Sequence, residues 1–71
     1  MIKYRGYKGS FAFDETKSIF YGRVTNSPYV ITFHGKSIIE TKQVFRDAIN
    51  EHLEWCAKYN KIPEKTASIE N

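Results

Sequence analysis

The sequence predicts a small α+β domain: a three-stranded antiparallel β-sheet followed by one long amphipathic helix packed on one sheet face. Two observations carry that prediction. Residues 1–35 alternate with the period of two that marks strands, interrupted by turn signals. Residues 37–59 follow the helical period and contain neither Gly nor Pro. The chain has 71 residues, read as a single domain over residues 1–62 and a polar tail over 63–71. A domain of this size buries only about 60% of the surface its unfolded chain exposes. A partner or a second copy would therefore add to its stability.

The first expected strand covers residues 10–14, with Phe11 and Phe13 on one face. The opening Tyr4-Arg5-Gly6-Tyr7-Lys8-Gly9 extends it, its glycines permitting a bulge or bend. Asp14-Glu15-Thr16-Lys17 is polar and suits a short hairpin loop. The second strand covers residues 18–25, rich in aromatic and β-branched side chains. Asn26-Ser27-Pro28 is a turn signal. The third strand covers residues 29–34, with Tyr29, Ile31 and Phe33 on one face, and Gly35 closes it.

Ser37-Ile38-Ile39-Glu40 forms a capping box at the helix start. The Ser37 hydroxyl accepts from the Glu40 N–H, and the Glu40 carboxylate returns to the Ser37 N–H. Ile38, Ile39, Val44, Phe45, Ala48, Ile49, His52, Leu53, Trp55, Cys56 and Tyr59 fall on one broad arc. Gln43, Asp47, Asn50, Glu51, Glu54 and Lys58 hold the other side. One sheet needs an apolar stripe only somewhat over about 100° wide. The surplus edge at Val44, Trp55 and Tyr59 is the expected surface for a homo-oligomer, a dimer or tetramer. The competing reading wraps Trp55 and Tyr59 around the sheet rim. Asn60-Lys61-Ile62-Pro63 stops the helix, because a residue before Pro is steered out of the α region.

The net charge is +3. Residues 1–36 carry +4 and residues 37–71 carry −1. No run approaches the roughly 20 apolar residues of a membrane span. No apolar segment follows the opening basic residues as a signal peptide requires. The single Cys56 cannot form an intramolecular disulfide. The expected location is the cytoplasm.

No catalytic set assembles from the sequence, and the chain reads as a non-enzyme with no cofactor. His52 and Cys56 stand four apart on one helix face, but a zinc site needs three or four ligands. The reading preferred here makes Cys56 a small core residue and His52 a rim residue. The serines lack a nucleophile-elbow setting, and Gly6-Tyr7-Lys8-Gly9 is no phosphate loop. Nucleic-acid binding is the alternative function. Tyr4, Arg5, Tyr7, Lys8 and Arg23 interleave aromatic and basic side chains, with Tyr21 beside Arg23 on one strand face. Such strands can stack single-stranded bases while the cations hold phosphates.

An ordered series of segments resembles HicB-type antitoxins. It opens with Tyr4-Arg5-Gly6-Tyr7-Lys8-Gly9-Ser10 and Phe13-Asp14-Glu15. Ile19-Phe20-Tyr21-Gly22-Arg23-Val24 and Val30-Ile31-Thr32-Phe33-His34-Gly35-Lys36-Ser37 follow. Phe45-Arg46-Asp47-Ala48-Ile49, Leu53-Glu54-Trp55-Cys56-Ala57 and Pro63-Glu64-Lys65 complete it. The resemblance implies a partial RNase H-like fold without that fold's catalytic acids. It implies a non-catalytic module that masks a HicA-type toxin, a small basic ribonuclease. The expected partner contacts are Tyr21, Arg23 and His34 near the sheet and Glu51 and Glu54 on the helix. Two departures matter. The family's DNA-binding segment would begin where this sequence ends, so promoter binding is not carried over. The family is usually acidic, whereas this chain is basic, which leaves Glu40, Asp47, Glu51 and Glu54 as the surface matched to a basic toxin.

Overall fold

The computed structural model describes residues 1–62, so the expected tail over 63–71 lies outside the described residues. Four strands precede one helix: β1 (Ile2–Tyr4), β2 (Tyr7–Asp14), β3 (Ile19–Val24), β4 (Thr32–Gly35) and α1 (Ile38–Lys58). The sheet order is β1-β2-β3-β4 with every pair antiparallel. The α+β class, an antiparallel sheet followed by one helix, is as the sequence predicts. The sheet has four strands instead of three.

The extra strand comes from a turn where a bulge was expected. Arg5 and Gly6 have φ values of 53° and 85°, so both central residues of a two-residue turn are left-handed. That geometry matches the twist of the flanking strands, and Tyr4 pairs with Tyr7 across it. Gly6 takes it at no steric cost. Arg5 is held there by its side chain, as described below.

The remaining boundaries shift slightly. The β2–β3 turn covers residues 15–18, and the Asp14 carboxylate accepts from the Thr16 and Lys17 N–H groups. Strand β4 starts at Thr32 and not at Tyr29. Ile31 still accepts from the Val24 N–H at 2.9 Å. Asn26 does more than punctuate: its buried side chain accepts from the Lys8 N–H at 2.8 Å and donates to the Gly6 carbonyl at 3.1 Å. It thereby fixes the end of β2 as a further strand residue would.

The helix cap differs in one bond. Ser37 Oγ accepts from the Glu40 N–H at 3.0 Å as expected, but the Glu40 carboxylate accepts from the Lys36 N–H, not from that of Ser37. At the other end Asn60 adopts φ 56°, and the Lys61 N–H reaches the Cys56 carbonyl at 2.7 Å. This is the left-handed helix stop that Asn tolerates better than most residues.

Tyr7, Val24, Ile31, Phe33, Phe45 and Ile49 form the core, with Cys56 buried at its end. Phe33 and Phe45 meet edge to face with centroids 5.1 Å apart. A Cβ on Gly22 would lie 2.7 Å from Phe33 Cζ, so the absence of a side chain there lets the Phe33 ring lie on β3. The helix seam is Thr41, Phe45, Ile49 and Cys56, narrower than the sequence arc. Ile38 and Ile39 are exposed, as are Trp55 and Tyr59. Thr41 is buried because its hydroxyl donates to the Ser37 carbonyl at 2.7 Å, which satisfies it internally.

Candidate functional site

Strand alternation divides the sheet into two unlike faces. The helix covers the face of Tyr7, Gly9, Gly22, Val24, Phe33 and Gly35. The outer face carries Lys3, Lys8, Ser10, Ala12, Tyr21, Arg23, Thr32 and His34. Tyr21 pairs directly with His34, and Arg23 sits between Ser10 and Thr32. Because Val24 bonds to Ile31, the Tyr21–His34 pair is the narrow kind, with Cα atoms about 4.5 Å apart. Ser10, Phe11, Ala12, Tyr21, Gly22 and Arg23 line an open depression of about 290 Å³.

A second surface lies beyond β4. Val30, Ile31 and Thr32 face Ala48, Glu51, His52 and Trp55 of α1 across an open groove of about 480 Å³. Val30 is 92% exposed and Trp55 is 41% exposed, so each presents apolar surface beside the polar Thr32, Glu51 and His52 of the groove. Glu51 stands on its helix side and Glu54 is exposed one turn on. β4 is an edge strand, and the alternation of its bonds to β3 turns the Thr32 and His34 backbone groups outward.

Aromatic rings build the far end of the groove. His52 lies 4.9 Å from Tyr29 and 6.2 Å from Trp55, stacked on the latter. Trp55 continues to Tyr59 at 5.7 Å, and the Lys58 ammonium stands 5.4 Å from the Tyr59 ring centre. Trp55 and Tyr59 therefore do share an exposed patch. Val44 does not join it, because its half-buried side chain packs against the core.

His52 Nε2 lies 3.6 Å from Cys56 Sγ. Burial pushes the His52 imidazole below its ordinary pKa. Burial, with lesser contributions from Cys56 and Tyr29, raises Tyr7. His34 stands on the outer face, so the sheet separates it from His52 and Cys56. No cluster of three or more His, Cys, Asp or Glu side chains that could hold a metal occurs among the described residues.

The five contact residues expected from the resemblance do not form one patch. Tyr21, Arg23 and His34 share the outer sheet face, while Glu51 lines the β4–α1 groove and Glu54 is exposed on α1. The nucleic-acid set is also divided. Tyr7 is fully buried, which withdraws its ring from any base. The Tyr4 hydroxyl and Arg5 Nη1 both donate to Asn50 Oδ1, at 3.2 and 2.9 Å, so these two side chains serve the fold. Lys8 and Arg23 remain together on the outer face. Sequence reasoning missed the roles of Val30 and His52 at the groove and of Lys3 beside Lys8. For Lys3 the signal was present once the two-residue turn is recognised, since that turn sets Lys3 opposite Lys8.

No family model, curated protein or solved structure matches the chain. Among the described residues no helix is long and apolar enough to cross a membrane.

Proposed function

We propose that the chain is a non-catalytic binding module that masks a basic ribonuclease of the HicA type, docking it in the groove between β4 and α1. One observation carries this reading: the groove joins the exposed apolar side chains of Val30 and Trp55 to the carboxylate of Glu51. A desolvated aromatic anchor with a charged rim is the usual composition of a protein interface. Glu51 puts a carboxylate on the groove although the chain is basic overall, and that carboxylate suits a basic partner. The sequence resemblance supplies the partner's class, and the α+β fold, a sheet followed by one helix, is compatible with it. The mechanism is steric: the docked module covers the toxin's RNA-binding surface. Tyr21, Arg23 and His34, on the outer sheet face, take no part in this contact.

The test is an RNA-cleavage assay with a HicA-type toxin and increasing amounts of the chain. Stoichiometric loss of cleavage supports the reading. Undiminished cleavage at saturating chain rejects it.

A further inference from the structure

Trp55 is exposed and yet held in place. Its indole stacks on His52 with centroids 6.2 Å apart, meets Tyr29 edge to face at 5.8 Å and packs against Tyr59 at 5.7 Å. Three rings thus brace an indole that is 41% exposed. Among the described residues the one cation on this aromatic row is Lys58, and it stands over Tyr59 instead of Trp55.

Glu51 lies four residues before Trp55, so the two side chains are neighbours on the surface of α1. Both line the β4–α1 groove. Among the described residues no hydrogen bond or ion pair engages the Glu51 carboxylate. A carboxylate beside a braced, exposed indole is complementary to a guanidinium. That planar ion stacks on the ring while its fork of N–H donors meets the carboxylate. An ammonium is compact and strongly hydrated and has no flat face to stack.

The opposite wall determines how such a cation arrives. Thr32 on the edge strand β4 turns its backbone N–H and C=O away from β3. A strand added at this edge takes its hydrogen bonds opposite Thr32. Its next residue, opposite Ile31, then points to the helix side, because successive side chains alternate between faces. Ile31, Glu51 and Trp55 line the same groove. Val30, 92% exposed, offers apolar surface to the methylene stem of a long side chain.

We infer that the groove captures an arginine from an extended segment of its protein partner, the guanidinium stacked on Trp55 and paired with Glu51 while the segment's backbone bonds to Thr32. The inference rests on the docking surface proposed above and names what that surface holds.

Trp55 is the single tryptophan of the chain, so its emission reports the site directly. The test titrates the full chain with a blocked, tryptophan-free peptide of valine and threonine around one central arginine. Lysine and citrulline analogues of the peptide run in parallel. The arginine peptide is expected to change Trp55 emission and to bind about fivefold more tightly than the lysine peptide. Citrulline keeps the shape and loses the charge, and is expected to bind about tenfold more weakly than arginine. Glu51→Gln is expected to abolish the preference for arginine over citrulline. Glu54→Gln makes the same charge change on an exposed residue outside the groove and is expected to leave it intact. Circular dichroism verifies that both variants are folded.

Unchanged Trp55 emission at about 1 mM arginine peptide overturns the inference. Equal binding of the three peptides overturns it too, as does an equal loss from Glu51→Gln and Glu54→Gln, which would mean bulk charge alone. RNA cleavage by the toxin is read separately. Silenced cleavage without an arginine preference rejects the arginine site and leaves the toxin reading standing. An arginine preference with undiminished cleavage upholds the arginine site and rejects the toxin as its partner.

Discussion

Arg5 Nη1 donates to Asn50 Oδ1 at 2.9 Å, tying the β1–β2 turn to the middle of α1. The Tyr4 hydroxyl reaches the same oxygen at 3.2 Å. One amide thus holds a hairpin whose turn puts a non-glycine residue in the left-handed region. Asn50→Ala is expected to lower stability by about 1 kcal/mol, the net worth of an ordinary hydrogen bond. The midpoint of urea unfolding measures it, and an unchanged midpoint would show that the turn holds itself.

Asn26 is expected to matter more than a turn residue should. Its side chain satisfies the Lys8 N–H and the Gly6 carbonyl while itself nearly fully buried. Asn26→Ala leaves both backbone groups without that partner, at a cost of about 1–3 kcal/mol. Faster amide hydrogen exchange at Lys8 in the variant is the local readout.

Gly22→Ala would bring a methyl group within 2.7 Å of Phe33 Cζ and 2.5 Å of Phe11 Cβ. Overpacking of this kind costs about 1–3 kcal/mol. Thermal unfolding checks the loss, and a parallel Ala12→Ser on the open face is expected to stay within about 0.5 kcal/mol of the parent.

How much of this was legible in the sequence divides by physical cause. The helix start was legible because Ser37 and Glu40 are local neighbours whose cap needs no distant contact. Phe33 and Phe45 were legible as core because each follows the period of its own element. The first hairpin was not, because Arg is an uncommon residue at a left-handed position and its support, Asn50, is 45 residues away. Thr41 and Asn26 are buried polar residues whose hydrogen bonds, not their hydropathy, admit them to the interior. The width of the helix's apolar arc overstated its contact: periodicity gives direction, but the sheet beneath decides which turns are covered. For the site, each residue type was visible. Which face of the sheet each occupied depended on the extra strand and its register.

His52 gives the fold an acid-side sensitivity. Burial holds its pKa below the ordinary 6.5, so the folded state prefers the neutral ring and the unfolded chain binds the proton more readily. Its contribution to stability is complete above about pH 6.5 and falls as pH drops from there toward the folded-state pKa. The melting temperature of the parent is expected to fall over that window, and His52→Gln to flatten that part of the profile. A profile that keeps the same slope in the variant assigns the sensitivity to other groups.

The groove between β4 and α1 is the centre of the account, and isothermal calorimetry with a HicA-type toxin tests it most directly. The parent chain is expected to bind. Trp55→Ala is expected to lose about 2 kcal/mol, as a buried aromatic anchor does. Glu51→Lys is expected to weaken binding further by placing a cation against a basic partner. Tyr21→Ala, on the other side of the sheet, is expected to bind as the parent does. Tight binding that is indifferent to Trp55 and Glu51 but lost with Tyr21 would contradict the account and move the docking surface to the outer face.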